Sequence, residues 1–252
     1  MDFPASADAD LSLDELLRGR IRVWQPRTGY RVNVDSLLLA YFVGPPPYGR
    51  VIDLGAGSGV IGLALASLDP ASSVTLAELQ PRVAAVAQKN IVENGLSDRV
   101  RVVEVDLADL AAARAVLSGN AFDRVVSSPP YFPVAAGPPV PDESEAISRH
   151  ELRLTVAELT RAARRLLVPS GRAFIVYPAD RLPALFSALL AESLQPIRLR
   201  PIHPRPNAPA NRILVEAQKG AKAGLVFDPP FFLRDESGGY SPEARIALGE
   251  SS

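Results

Sequence analysis

The chain has 252 residues and a formal net charge of −1, and hydrophobic residues make up 47% of it. This length and composition suit one α/β domain with extensions and argue against global disorder. The near-zero net charge gives no general attraction for nucleic acid, so any such surface must be local. Cysteine is absent and only two histidines occur, so disulfides and thiolate chemistry are excluded and no metal site is expected.

The first segment of the chain, residues 1–10, is small and acidic and lacks the basic start and apolar run of a signal peptide. The longest apolar stretches are interrupted by Gly, Pro or charge before they reach membrane-spanning length. We therefore expect a cytoplasmic protein with no membrane partner. Residues 1–10 are predicted to be a disordered tail, 11–49 an accessory segment and 50–252 the main domain.

Within the accessory segment, Leu13, Leu16 and Leu17 are predicted to share one face of a helix. The stretch Arg18–Trp24 follows as a short strand or turn. Asp35 is then predicted to cap the helix that it begins, because a carboxylate at that position accepts hydrogen bonds from free backbone N–H groups.

From residue 50 onward, the hydrophobic pattern alternates between strands and helices. Predicted strands cover 50–54, 74–77, 100–105, 123–127, 172–177, 197–201 and 213–218, and predicted helices cover 59–68, 81–94, 110–118, 154–167 and 182–192. This alternation predicts an α/β fold with a mostly parallel sheet and helices on both faces.

A glycine-rich turn joins the first of these strands to its helix, in the segment Val51-Ile-Asp-Leu-Gly-Ala-Gly-Ser-Gly-Val-Ile-Gly62. Glycines permit positive φ and a close approach of the backbone to a ligand. The start of the following helix offers free N–H groups and a partial positive charge. The turn is therefore a candidate cofactor site.

Two interpretations of this turn remain open. The spacing of Gly57, Gly59 and Gly62, with Glu78 about 20 residues further on, fits the dinucleotide fingerprint of a dehydrogenase. Asp53, at the strand end before the first glycine, makes the same segment resemble the first motif of class I S-adenosylmethionine-dependent methyltransferases.

The methyltransferase resemblance implies a role for each of three acids. Asp53 would lie near the methionine part of the cofactor, unless it only orders the glycine turn. Glu78, at the end of the second strand, can accept the protons of both ribose hydroxyls. Asp106 is placed like the residue that binds the adenine amino group of the cofactor, and capping of the next helix is its alternative role.

The segment Phe122-Asp-Arg-Val-Val-Ser-Ser-Pro-Pro-Tyr-Phe132 lies at the end of the fourth predicted strand, where open α/β sheets bind ligands. It resembles the Asn/Asp/Ser-Pro-Pro-Tyr/Phe/Trp motif of amino-group methyltransferases. Two prolines remove backbone donors and fix φ. The Ser128 hydroxyl and the Pro129 carbonyl would accept the two hydrogens of an exocyclic amine, and Tyr131 would stack on the base. The predicted catalytic residues are Ser128, Pro129, Pro130 and Tyr131.

The order of motifs over the whole chain narrows the resemblance. Together with Gly29–Ala40, Arg149–Glu151 and His203–Val215, the motifs resemble the bacterial family that methylates N6 of the adenine beside the anticodon in a valine tRNA. The resemblance implies S-adenosyl-L-methionine as cofactor, tRNA as substrate and a seven-stranded Rossmann-like sheet whose last strand is antiparallel. Residues 50–252 would then be the methyltransferase domain. The implied cofactor-binding residues are Asp53, Gly55, Gly57, Gly59, Glu78, Asp106 and Ser128.

A late basic segment suits RNA, because clustered cations bind phosphates and make binding sensitive to salt. An ordinary solvated hairpin is the alternative. The predicted RNA-binding residues are Arg198, Arg200, Arg205, Arg212 and Lys219.

Three further functions remain open. Serine at position 128 is typical of DNA cytosine-N4 methyltransferases, whereas most adenine-N6 RNA enzymes of this type carry Asn there. A protein glutamine-N5 methyltransferase would also be expected to carry Asn-Pro-Pro-Tyr. A module that binds S-adenosylmethionine or RNA without turnover is the alternative that is not an enzyme.

Overall fold

The computed structural model describes residues 10–27, 32–109, 113, 117, 121–129 and 154–250. Several predictions lie outside these residues: almost all of the tail, most of the helix at 110–118, Pro130, Tyr131 and the Arg149–Glu151 stretch.

The accessory segment begins with a β-hairpin, formed by β1 (Leu11–Leu16) and β2 (Ile21–Pro26), which pair in an antiparallel register. The helical face predicted for Leu13, Leu16 and Leu17 is therefore wrong, whereas the turn and strand predicted over Arg18–Trp24 are confirmed. Apolar and polar residues also alternate with a period of two over Leu11–Asp14, the first four residues of β1, and this weaker pattern is the one that tertiary pairing selects.

Helix α1 (Val34–Phe42) follows the hairpin, and its N-cap residue is Asn33. The prediction that Asp35 caps this helix is wrong. Asp35 lies in the first turn, and its carboxylate accepts a hydrogen bond from Arg212 Nε at 3.1 Å. An ion pair to a distant strand thus replaces the local cap.

The remaining elements alternate as predicted up to residue 219. They are β3 (Arg50–Leu54), α2 (Val60–Leu68), β4 (Ser73–Glu78), α3 (Pro81–Glu93), β5 (Val100–Glu104), β6 (Phe122–Ser127), α4 (Val156–Leu166), β7 (Leu167–Pro178), α5 (Leu182–Ala191), β8 (Leu194–His203) and β9 (Arg212–Lys219). Four short elements were not predicted: a 3₁₀ turn (Ala179–Arg181), β10 (Val226–Phe227), β11 (Phe231–Phe232) and α6 (Pro242–Leu248).

Seven long strands form the body of the main sheet in the order β8-β9-β7-β6-β3-β4-β5, and β10 and β11 add to β8 at one side. Strand β9 is antiparallel to both of its neighbours, and the other pairs among the seven are parallel. The expected α/β fold, with seven strands and the last long strand antiparallel, is confirmed.

Helices cover both faces of the sheet. Successive residues of β3 point to opposite faces, so Val51 packs in one apolar cluster and Ile52 in the other. The first cluster holds Leu39 of α1, with residues of α2, α3 and β2, and the second holds Leu159 of α4 and Leu185 of α5. No helix of the described segments is long and apolar enough to cross a membrane.

The chain order of the strands creates a switch point at β3. From β3 the chain proceeds outward through β4 and β5, and it then returns to place β6 on the other side of β3. A ligand crevice forms at such a point, outside the carboxyl ends of the strands. We call this side of the sheet the carboxyl edge; it is the edge at which Leu54, Glu78 and Ser127 end their strands.

Candidate active site

The carboxyl edge brings together predicted site residues from three neighbouring strands. Asp53 of β3 is in register with Leu76 of β4 and with Val126 of β6. Neighbouring strands lie about 4.8 Å apart, so Asp53, Glu78 and Ser128 surround the start of the glycine loop, which we define as residues 55–59. The structure therefore brings the glycine-rich turn and the Ser-Pro segment together at one edge of the sheet.

The glycines of this loop have two different roles. Gly55, Gly57 and Gly59 have φ of 70°, 58° and 88°. This is the left-handed region, in which a residue with a Cβ would be strained. Among the described residues, no atom lies within 4 Å of a Cβ added to Gly55 or Gly57, whereas one added to Gly59 would lie 2.7 Å from Leu76 Cδ1. The first two glycines therefore border open space that a ligand can enter, and Gly59 lets the loop pack on the sheet.

Glu78 is fixed before any ligand arrives. Its Oε2 accepts a hydrogen bond from Gly57 N at 2.9 Å, and its Oε1 accepts one from Gln80 N at 2.9 Å. Each carboxylate oxygen has a second lone pair, so both keep the capacity to accept a ligand hydroxyl. The side chain is buried at the end of β4, beside the open face of the loop.

Asp53 is completely buried, and its two oxygens have different environments. Oδ2 accepts a hydrogen bond from Gly62 N at 3.2 Å, which links the strand end to the first turn of α2. Oδ1 has no hydrogen-bond partner among the described residues. Burial raises the pKa of Asp53 to about 7; the Gly62 N–H opposes this and the Glu78 charge adds to it.

The end of β6 is held against β3 by a residue that the sequence analysis did not single out. Ser127 Oγ donates a hydrogen bond to Leu54 O at 2.7 Å, and Ser127 is fully buried. Ser128, the next residue, has a buried Oγ with no partner among the described residues, and Pro129 is buried. Ser127 thus positions the strand end, and contact of the Ser128 hydroxyl with a substrate stays a prediction.

Asp106 lies two residues beyond β5 and is exposed. Its Oδ1 accepts a hydrogen bond from Ala108 N at 2.8 Å, as a carboxylate does when it caps a turn. This contact stays within the turn, so capping of the next helix and contact with a cofactor amino group both stay predictions.

Three of the five predicted RNA-binding residues are partners in ion pairs within the protein. Arg198 Nε lies 2.8 Å from Glu216 Oε2, Arg200 forms two hydrogen bonds of 2.7 Å to Glu243, and Arg212 pairs with Asp35. These carboxylates offset much of the positive potential that the linear sequence suggests.

The structure also separates the predicted basic residues in space. Arg212 begins β9 and Lys219 ends it, and a strand of 8 residues spans about 23 Å between its end residues. Because β9 is antiparallel to β7, Arg212 lies at the carboxyl edge and Lys219 at the opposite edge, where its Nζ donates to Leu167 O at the start of β7. Arg205 is exposed in the loop that follows β8 at the carboxyl edge.

The doubly wound sheet, the glycine loop and the Ser-Pro segment at the carboxyl edge define a methyltransferase. The family model "Methyltransferase small domain" matches residues 30–195. The chain belongs to that family.

Curated relatives are similar to almost the whole chain. The tRNA1(Val) (adenine(37)-N6)-methyltransferase of Porphyromonas gingivalis is 30% identical, with 89% of each protein covered. The protein of the same name from Shewanella loihica is 31% identical, covering 88% of this chain and 92% of the relative. Among solved structures, a predicted O-methyltransferase of Agrobacterium tumefaciens superposes with a TM-score of 0.70 at 25% identity, covering 86% of this chain and 98% of that one.

Proposed function

We propose that the protein transfers a methyl group from S-adenosyl-L-methionine to the exocyclic N6 of an adenine in tRNA. The observation that carries this proposal is the unpartnered Ser128 hydroxyl beside the open side of the glycine loop. A hydrogen-bond acceptor for an amine and a cradle for a cofactor thus occupy the same edge of the sheet.

The described residues fit S-adenosylmethionine. The open space at Gly55 and Gly57 admits a ligand against the backbone, and Glu78 is held in place with lone pairs for two ribose hydroxyls. The unpartnered Oδ1 of Asp53 lies at the end of β3, beside the start of the loop. When bound, this cofactor supplies a methyl group on a positively charged sulfur, which an amine nitrogen can attack.

The residues of the Ser-Pro segment would act by accepting hydrogen bonds and by positioning the amine. The Ser128 hydroxyl and the Pro129 carbonyl can each accept one hydrogen of an exocyclic NH₂, which aims the nitrogen lone pair toward the cofactor. As the nitrogen gains positive charge, these acceptor contacts strengthen, so they stabilise the transition state more than the ground state. Holding the amine nitrogen in line with the methyl group can by itself supply a large part of the reduction of the activation barrier.

The choice of tRNA rests on the relatives, whose names specify adenine 37 of a valine tRNA. At the carboxyl edge, the proposed phosphate contacts are the exposed Arg205 and Arg181, which ends the short 3₁₀ turn that follows β7. The sequence analysis did not include Arg181. Phosphate contacts from Arg198, Arg200, Arg212 and Lys219 stay predictions, because the bonds of these residues within the protein compete with phosphate.

The test uses purified protein, labelled S-adenosylmethionine and an unmodified valine tRNA transcript, followed by nucleoside mass spectrometry. The expected product is N6-methyladenosine, and the control transcript has adenine 37 replaced by guanine. Label in both transcripts would contradict the assignment of the position. Label in duplex DNA as N4-methylcytosine, with none in tRNA, would favour the DNA function that serine at position 128 suggests.

A further inference from the structure

A single amide side chain of α3 links two parts of the protein that the chain separates widely. Asn90 is completely buried. Its Oδ1 accepts a hydrogen bond from Trp24 N at 2.6 Å, and its Nδ2 donates to Trp24 O at 3.0 Å and to Ser58 O at 2.9 Å. Trp24 belongs to the N-terminal hairpin and Ser58 to the glycine loop.

The Ser58 carbonyl lies at a sensitive point of the loop. Ser58 is flanked by Gly57 and Gly59, both with positive φ. Because glycine can adopt more backbone conformations than any other residue, this part of the loop loses the most entropy when it is ordered. Glu78 already holds Gly57 N from the β4 side. Asn90 holds the carbonyl of the next residue, Ser58, from the α3 side. Two consecutive residues of the loop are therefore fixed by different elements.

The hairpin in turn fixes the orientation of the Asn90 amide. Strand β2 offers the N–H and the carbonyl of Trp24, which pair with the amide oxygen and nitrogen in the way that a neighbouring strand would. Because these two bonds set the plane of the amide, its remaining N–H is directed at Ser58 O.

Asn94, one turn further along α3, provides a matched comparison. Its Oδ1 accepts from Arg22 N at 2.8 Å, and its Nδ2 donates to Arg22 O at 2.7 Å and to Asn90 O at 2.7 Å. It therefore holds the same strand of the hairpin in the same manner. The two residues differ in their third hydrogen bond: that of Asn90 reaches Ser58 O in the glycine loop, whereas that of Asn94 reaches Asn90 O within α3.

We infer that Asn90 is a positioning residue that holds the glycine loop in its cofactor-binding conformation, with the N-terminal hairpin as its anchor. This inference rests on the proposed use of S-adenosylmethionine. The hairpin of the accessory segment thereby contributes to cofactor affinity through Asn90, although it supplies no residue of the glycine loop itself.

The first experiment compares wild type, Asn90→Ala and Asn94→Ala by hydrogen–deuterium exchange without ligand. Exchange at residues 55–59 should increase in Asn90→Ala and stay at the wild-type level in Asn94→Ala. Trp24 is the only tryptophan, so its fluorescence reports whether the hairpin stays packed in each variant. Equal exchange at residues 55–59 in the two variants would overturn the inference.

The second experiment measures binding of S-adenosylhomocysteine, the demethylated product, by calorimetry. Loss of one buried hydrogen bond predicts a Kd raised by about fivefold to a hundredfold in Asn90→Ala, against about twofold or less in Asn94→Ala. In turnover, the KM for the cofactor should rise while kcat at saturation stays close to wild type. An unchanged Kd in Asn90→Ala would refute the inference.

The two experiments separate this inference from the proposed function. If the wild type fails to bind S-adenosylhomocysteine, the proposed cofactor is wrong, and the exchange of residues 55–59 still decides whether Asn90 orders the loop. If Asn90→Ala does not unfold cooperatively, Asn90→Ser replaces it, because serine leaves a polar group among the Trp24 partners but is one bond shorter. The same exchange and binding results are then required of Asn90→Ser.

Discussion

Replacing Asp53 by Asn should remove a pH-dependent loss of stability. The Asp53 carboxyl is completely buried, and its pKa is raised from 3.8 to about 7, chiefly by burial. Between these two values the unfolded chain has released the proton and the native protein still holds it. Stability therefore falls as pH rises through this window, by about 1.4 kcal/mol per pH unit, and it levels off above pH 7.

The magnitude follows from the same two pKa values. A shift from 3.8 to about 7 corresponds to a penalty of at most about 4 kcal/mol on the ionised form. Asn has nearly the shape of Asp, keeps an oxygen for the Gly62 N–H and carries no charge at any pH. Asp53→Asn should therefore match wild type within about 1 kcal/mol near pH 4, and its advantage should grow up to pH 7.

The assay is urea unfolding of both proteins at intervals of half a pH unit from pH 4 to pH 8.5. All other titrating groups are shared, so the difference between the two free energies of unfolding reports the titration of Asp53, including its coupling to the Glu78 charge. A difference that stays constant from pH 5 to pH 8 would refute the reasoning, because it would mean that the native carboxyl ionises like a solvated one.

Three further changes test the site and its surroundings. Ser128→Ala removes an unpartnered buried hydroxyl, so stability should change by less than about 1 kcal/mol while methyl transfer to tRNA falls about tenfold to a thousandfold; equal turnover would exclude Ser128 as an acceptor. Gly62→Ala places a Cβ 2.3 Å from Leu76 Cδ2 and should cost about 1–3 kcal/mol in thermal unfolding, with partial recovery when Leu76 is shortened to Val. Arg205→Ala should lower the slope of log Kd for tRNA against log salt by about one, whereas Lys219→Ala, at the far edge, should leave that slope unchanged.

The candidate site was predictable where its signals are local. Hydrophobic runs interrupted by glycine predict the strand before Gly55 and the helix after Gly59. The glycine-rich turn and the Ser-Pro segment each stand directly after a predicted strand. Parallel strands with helices between them place their carboxyl ends at one edge, which is why Asp53, Glu78 and Ser128, grouped by the family resemblance, lie at the same edge of the sheet.

Non-local pairing accounts for what the sequence predicted wrongly or left undecided. The apolar residues of Leu11–Leu16 fit a helix or a strand, and the choice depends on β2, which offers a partner with an alternating burial pattern. The basic residues from Arg198 to Lys219 form a cluster in the linear sequence. Their distribution over two edges follows from the direction of β9, and their neutralisation follows from acids as distant as Asp35.

The sequence by itself therefore determined the α/β alternation, the glycine loop and the position of the Ser-Pro segment after a strand, because each is encoded in contiguous residues whose backbone preferences act locally. The tertiary structure alone decided the protonation of Asp53, which depends on complete burial, and the bonding of Asn90, which joins Trp24 to Ser58. Burial and long-range hydrogen bonds depend on which elements pack together. Sequence periodicity does not carry that information, because it records which face of an element is apolar and not what covers that face.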